Sequence, residues 1–188
     1  PPLMRRLIAA VLTMTGLAAP AMAESAIVNA VQLTSFANAD IGKRTQGLIF
    51  RGGLVLESQT DTFGGLSGIG FTGPDNRLAM VSDRGNFVAG QLLYDDRGAP
   101  FSLVGVDISP IQNSKGADLP NAFSRDAEAL AVVERNGAPA AVRIGFENLT
   151  RVADYALENG IPVGRARDID IPDWLSRRLG LTPDQFPI

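Results

Sequence analysis

The stretch FGGLSGIGFTGPDNRLAMVSDRGNF, residues 63–87, decides the fold of this chain. It predicts a glycine-broken strand, a turn at residues 73–76 and a second strand at residues 78–81, followed by a short polar segment. In an antiparallel hairpin, the start of the first strand and the end of the second lie at the same edge of the sheet. We therefore expect Ser67 and Asp83 to lie close together.

The same order of features returns at residues 124–148. A polar segment opens one strand, a turn with Asn and Gly follows, and the partner strand ends on an acid. Glu128 at the start of the first strand should therefore meet Glu147 at the end of the second. With Asp83 from the first hairpin and the nearby Asp126, the pattern predicts a repeated unit whose acidic edges converge.

The chain contains no cysteine and no histidine. This composition excludes disulfides, thiolate chemistry, a Ser-His-Asp triad and a histidine-ligated zinc site. Ser67 does not lie in a G-x-S-x-G nucleophile elbow either, because the second glycine, Gly68, comes one residue early. Catalysis is left to carboxylates, arginines, the backbone and a hard metal ion.

The N-terminal residues have the pattern of a secretory signal peptide. From Met4, the expected natural start, a pair of arginines and an apolar run occupy residues 5–19, and Ala-Met-Ala at 21–23 fits a cleavage site. We expect residues 1–23 to form this helical signal peptide and to be cut before Glu24. The mature protein would then be periplasmic or secreted, without a stable membrane span, because the apolar run is short.

The charge of the chain argues against two classes of partner. The formal net charge is −3, and removal of the two leader arginines makes the remainder more acidic. Binding to nucleic acid or to an anionic membrane surface is therefore not expected. Beyond the leader, Lys43 and Lys115 are the only lysines, so the positive charge is mostly arginine. Arginine suits phosphate and carboxylate contacts, although a skewed genomic composition gives the same bias.

The strand pattern predicts an all-β protein. Short apolar runs alternate with Gly- and Pro-rich turns, and beyond the leader a short helix is expected only at residues 172–179, around Trp174. The expected strands lie at residues 25–36, 47–57, 66–71, 78–81, 88–94, 101–108, 129–133, 140–146, 149–157 and 164–171.

Several motifs resemble one family. FGGLSGI at 63–69, LAMVSDRG at 78–85, DAEALAV at 126–132 and the strand ending in Phe-Glu-Asn at 146–148 resemble the phytase-like ("esterase-like activity of phytase") proteins. The resemblance covers residues 47–172 and implies a β-propeller. A blade takes about 40–50 residues, so residues 24–188 would hold three to four blades. Because propellers close with four to eight blades, we expect an incomplete propeller domain, the N-terminal part of a longer ring.

The acids are the candidate metal ligands. Asp83, Asp126, Glu128 and Glu147 end or begin strands, and converging carboxylates suit Ca²⁺, which takes six to eight oxygen ligands. The resemblance implies that Glu128 and Asp83 also act in catalysis, by orienting or deprotonating the attacking water. The alternative is that these are ordinary strand-end acids that make turn hydrogen bonds.

Arginines lie near these acids in sequence. Arg84, Arg125 and Arg143 would bind the substrate's phosphate groups, as the resemblance implies, or would form ion pairs with the same acids. The resemblance thus implies an exported, Ca²⁺-assisted phosphoesterase that acts on a small-molecule phosphate ester or another ester. Two alternatives stay open: a non-catalytic propeller that binds a ligand or partner and holds structural calcium, and a lactonase-like metal hydrolase.

Overall fold

The computed structural model describes residues 23–148, residues 151–172 and Trp174. The prediction of an all-β protein is confirmed, since strands dominate the described residues. The predicted signal peptide lies outside these residues except for Ala23, and so does most of the helix expected at 172–179. No helix among the described residues has the length and apolar character needed to cross a membrane.

The elements in chain order are β1 (Glu24–Ala26), β2 (Val28–Leu33), β3 (Ser35–Phe36), β4 (Ala39–Asp40), β5 (Arg44–Thr45), β6 (Leu48–Ile49), β7 (Gly53–Ser58), β8 (Leu66–Phe71), β9 (Arg77–Ser82), β10 (Asn86–Tyr94), β11 (Pro100–Pro110), α1 (Ala122–Arg125), β12 (Ala127–Arg135), β13 (Ala138–Phe146), β14 (Arg151–Glu158) and β15 (Ile161–Asp168). The strand expected at residues 25–36 is split, because β1 pairs with β11 whereas β2 pairs with β7. The helical turn α1 was not predicted, and it begins after Asn121, whose side chain accepts from the Ser124 amide at 2.9 Å.

The first sheet has five antiparallel strands in the order β1-β11-β10-β9-β8. Its β8–β9 hairpin is the predicted one, and the turn places Asp75 and Asn76 at φ +57° each. Asp and Asn tolerate this left-handed conformation better than other residues with a side chain. The sequence of the turn therefore fixes the register of the hairpin.

The second sheet is a four-stranded antiparallel meander in the order β12-β13-β14-β15. Two of its turns have the sequence Asn-Gly, at residues 136–137 and 159–160, and all four residues have positive φ. Asn-Gly is the preferred sequence for the two-residue turns whose twist matches that of the flanking strands. Local turn chemistry thus folds residues 127–168 back and forth into one sheet.

The two sheets pack face to face over a shared apolar core. Side chains of both sheets meet there, and the rings of Phe87 and Tyr155 are 5.0 Å apart in an edge-to-face arrangement. Alternate residues of β9 and β10, such as Met80 and Val88, point to the opposite face of the first sheet. That face is covered by the β2–β7 ribbon through Val28 and neighbouring side chains, so the described residues form three layers and no closed barrel.

Edge strands of the two sheets, β8 and β12, touch directly. A Cβ added to Gly68 would lie 2.7 Å from the main-chain nitrogen of Leu130, and one added to Gly70 would lie 2.6 Å from a methyl group of Val132. Only glycine permits this approach of the two strands. Because both hairpins begin at these strands, their acidic ends are brought side by side.

Candidate functional site

Main-chain hydrogen bonds fix the ends of the two hairpins. The amide of Asp83 donates to the carbonyl of Gly65 at 2.9 Å, and the amide of Glu147 donates to the carbonyl of Asp126 at 3.0 Å. The hairpin geometry thus brings Asp83 to the start of β8, as expected. The Ser67 hydroxyl donates to the carbonyls of Val81, at 3.4 Å, and Ala127, so it links the two sheets.

Three of the four predicted acids form one group, the acid cluster: Asp126, Glu128 and Glu147. One carboxylate oxygen of each lies within 4.8 Å of the others. Glu128 occupies a β-bulge, because Ala127 pairs with Phe146 and Ala129 with Gly145, which leaves Glu128 without a partner. Bulges of this kind redirect a side chain, and this one was not readable from the sequence.

The acids of the cluster repel one another. The pKa of Glu128 is raised above its ordinary value, first because neighbouring atoms displace part of the water around this exposed carboxyl group. A hydrogen bond and charge repulsion from Asp126 add to the rise, followed by the charges of Glu147 and Asp83. The fourth predicted acid, Asp83, is therefore close enough to act on the cluster although it is not part of it. A bound cation would relieve this repulsion.

Asn148 is a site residue that sequence reasoning missed. Its side-chain amide donates a hydrogen bond to Oδ2 of Asp126, so it orients that carboxylate within the cluster. The signal in the sequence is its position directly after Glu147, at the end of β13. From there it reaches Asp126, which directly precedes the facing strand β12.

Two predicted arginines line a cleft beside the acid cluster. This arginine cleft has a volume of about 540 Å³ and is lined by Asp83, Arg84, Ala122, Arg125 and Asp126. Nη1 of Arg84 donates to the carbonyls of Asp61 at 2.7 Å and Phe63 at 3.1 Å. Nε of Arg125 donates to the carbonyl of Leu119 at 2.7 Å. Within the described part of the chain, neither arginine forms an ion pair within 4.0 Å.

Close packing between the turn after β9 and the helical turn α1 holds Arg125 in place. Gly85 follows Asp83 and Arg84 in the turn after β9, and a Cβ added there would lie 2.7 Å from Cβ of Arg125. Gly85 also has φ +79°, a conformation that favours glycine. The end of the first hairpin thus supports an arginine of the helical turn α1, which leads into the second sheet.

The third predicted arginine, Arg143, is not brought to the cleft. It lies within β13 and binds Asp154 of β14 through Nε at 2.7 Å and Nη2 at 3.0 Å. Arg167 adds a third contact to Asp154 at 3.1 Å. The pKa of Asp154 is lowered, chiefly by the hydrogen bonds from Arg143. Arg143 thus forms an ion pair, as the alternative interpretation held, but with an acid that sequence reasoning had not named.

Comparison with known proteins supports the resemblance carried by the motifs. A family model described as phytase-like, with esterase-like activity of phytase, matches residues 61–180. No curated protein and no solved structure gives a significant match. The matched region covers both hairpins, the acid cluster and the arginine cleft, and it is well over half of the chain. This chain therefore belongs to the phytase-like family.

Proposed function

We propose that the chain belongs to an exported, Ca²⁺-assisted hydrolase of phosphate esters that acts at the acid cluster and the arginine cleft. The observation that carries this proposal is the meeting of two groups: three carboxylates within 4.8 Å, and two neighbouring arginines without an acidic partner in the described residues. A phosphate ester matches this arrangement, because its negatively charged phosphate group could be bound by the two arginines and by a cation at the acid cluster.

The donor set of the acid cluster fits a hard cation. Asp126, Glu128 and Glu147 offer only oxygen, and oxygen ligands at a loosely defined loop edge favour Ca²⁺ over metals that prefer nitrogen or sulfur. The pKa of Glu128 is raised first by the loss of surrounding water and then by its acidic neighbours, a direction that a bound cation would reverse. When bound, Ca²⁺ would supply charge neutralisation for the phosphate and polarise its oxygens.

Residues of the chain itself would bind the phosphate group and accept a proton from the attacking water. Arg84 and Arg125 are fixed by main-chain carbonyls, so their guanidinium groups are preorganised to hold phosphate oxygens. Asp83 lines the arginine cleft, and Glu128 lies in the cluster beside it. Either carboxylate can accept the proton of a water that attacks phosphorus, while the P–O bond to the alcohol breaks.

The wider architecture of the proposal is a β-propeller. The strands β8 to β11 of the first sheet and the four-stranded second sheet follow one another along the chain and stack face to face, which is what neighbouring propeller blades would require. Acids at the start of the first strand of a blade would then face the central channel. The alternative of a non-catalytic propeller with structural calcium predicts metal binding without turnover.

The proposal is tested by hydrolysis of p-nitrophenyl phosphate by the full chain, with added Ca²⁺ and with a chelator. We expect Ca²⁺-dependent turnover that falls about 10²-fold or more in Glu128→Gln, because glutamine keeps the size but loses the charge. Glu134→Gln is the matched control, an exposed glutamate at the other end of the same strand, and it should be unaffected. Unchanged turnover in Glu128→Gln would contradict the proposal. Hydrolysis of p-nitrophenyl acetate alone would favour a carboxylic ester.

Export is part of the proposal because residues 5–23 have the pattern of a cleavable leader. The first described strand begins at Glu24, directly after the expected cleavage site. We expect N-terminal sequencing of the protein from its native host to give Glu24 as the first residue. A chain that retained the leader would contradict this prediction.

A further inference from the structure

The carboxylate of Asp83 packs directly against Gly65, in the space where a side chain of residue 65 would lie. Gly65 precedes β8 with φ +61°, and its carbonyl accepts from the Asp83 amide at 2.9 Å. A Cβ added to Gly65 would lie 1.8 Å from Oδ1 and 2.5 Å from Cγ of Asp83. The carboxylate therefore occupies the volume that any other amino acid would fill with its side chain.

Nothing else in the described part of the chain fixes this carboxylate. Asp83 has no side-chain hydrogen bond there and no ion pair within 4.0 Å, although Arg84 and Arg125 line the same cleft. The neighbouring Gly64 differs, because a Cβ there would make only ordinary contacts, at 3.5 Å or more, with the guanidinium group of Arg84. The orientation of Asp83 thus depends on the missing Cβ of Gly65 in particular.

We propose that Gly65 is a positioning residue for the candidate reaction: because it has no side chain, the Asp83 carboxylate can occupy the space beside it and line the arginine cleft. This inference rests on the proposed function, which assigns Asp83 to the site. A side chain at residue 65 would turn the carboxylate away from the cleft and remove its charge from beside the acid cluster. The substitution would then weaken Ca²⁺ binding by displacing the Asp83 carboxylate, and not only by straining the backbone at residue 65.

A double-mutant cycle in Ca²⁺ affinity, measured by calorimetry on the full chain, tests this. We expect Gly65→Ala and Asp83→Ala each to weaken binding about tenfold, the range typical of carboxylates that support a metal site. The double variant should bind no more weakly than Asp83→Ala. Gly105→Ala is the matched control, because Gly105 has φ +57° and no atom within 4 Å of an added Cβ, and it should bind normally. Additive losses in the double variant would overturn the proposal.

A second measurement does not depend on the metal. In a crystal structure of the Gly65→Ala variant, or of Gly65→Asn if alanine folds poorly, the Asp83 carboxylate should have left the space above residue 65. Asparagine tolerates the left-handed backbone but keeps the crowding Cβ. If the unsubstituted protein binds no Ca²⁺, the proposed function fails, and this structure still decides the role of Gly65. An Asp83 that stays in place while the loop shifts would overturn the role.

Discussion

Asp154 lies within the four-stranded second sheet and the acid cluster lies at an edge of the same sheet, yet their surroundings are opposite. Asp154 is buried, with a side chain only 4% exposed, and it receives hydrogen bonds from Arg143 and Arg167. The acids of the cluster lie near the surface within 4.8 Å of one another, and the nearest arginines of the cleft bind main-chain carbonyls instead. The pKa of Asp154 is lowered, whereas that of Glu128 is raised.

The contrast separates acids that stabilise the fold from acids that await a ligand. A carboxylate that is already paired with arginine gains little free energy from a further cation, because its charge is already neutralised. Carboxylates that repel one another gain most when a cation arrives.

Asp154→Asn should destabilise the full chain, because it leaves two guanidinium groups without their anion. Both arginines are partly exposed and can turn toward water, so we expect a loss of about 1–2 kcal/mol in the free energy of unfolding. Asp126→Asn, in contrast, removes repulsion and should leave the metal-free protein at least as stable. Urea unfolding with a chelator present measures both, and Glu158→Gln, an exposed acid on the same strand as Asp154, is the control. An equal loss in the free energy of unfolding from Asp154→Asn and Asp126→Asn would contradict the difference between the two kinds of acid.

The two kinds of acid should also give stability a pH dependence of opposite sign. Asp154 has a lowered pKa in the folded protein, so its contribution is present above about pH 4, near the unfolded pKa, and is lost as the pH falls through the folded pKa. Glu128 has a raised pKa, so without metal its ionisation costs stability, and the cost disappears as the pH falls through its folded pKa.

Unfolding of the Asp154→Asn and Glu128→Gln variants across pH 3–7 separates these contributions. At the acid end of this range, the free energy of unfolding of Asp154→Asn should approach that of the unsubstituted chain. At the neutral end, the free energy of unfolding of Glu128→Gln should exceed that of the unsubstituted chain. Parallel pH profiles for all three proteins would contradict the assignment.

The hairpins and the meeting of their acids were predictable from the sequence. Turn residues such as Asn76 and Asn136 fix the register of a hairpin locally, and register alone places strand-end acids at one edge. The family resemblance pointed to the same residues. The predictable part of the site is therefore the part that turn residues and hairpin register determine.

Arg143 shows where such reasoning fails. It is four residues from Glu147 in sequence, but four residues of strand span about 13 Å. Its partner, Asp154, comes from the next strand, through a register that short motifs do not reveal. The bulge at Glu128 and the packing of the Asp83 carboxylate against Gly65 likewise depend on contacts between residues that are distant in sequence, which only the folded chain shows.

The central claim is that the acid cluster, unlike Asp154, binds a cation. The most direct test is urea unfolding of the full chain with and without Ca²⁺, since a ligand that binds only the folded state raises stability. At a Ca²⁺ concentration about five times the dissociation constant, we predict a gain of about 1 kcal/mol that persists in Asp154→Asn and is lost in Glu147→Gln. A gain that survives Glu147→Gln, or no gain in the unsubstituted chain, would contradict the account.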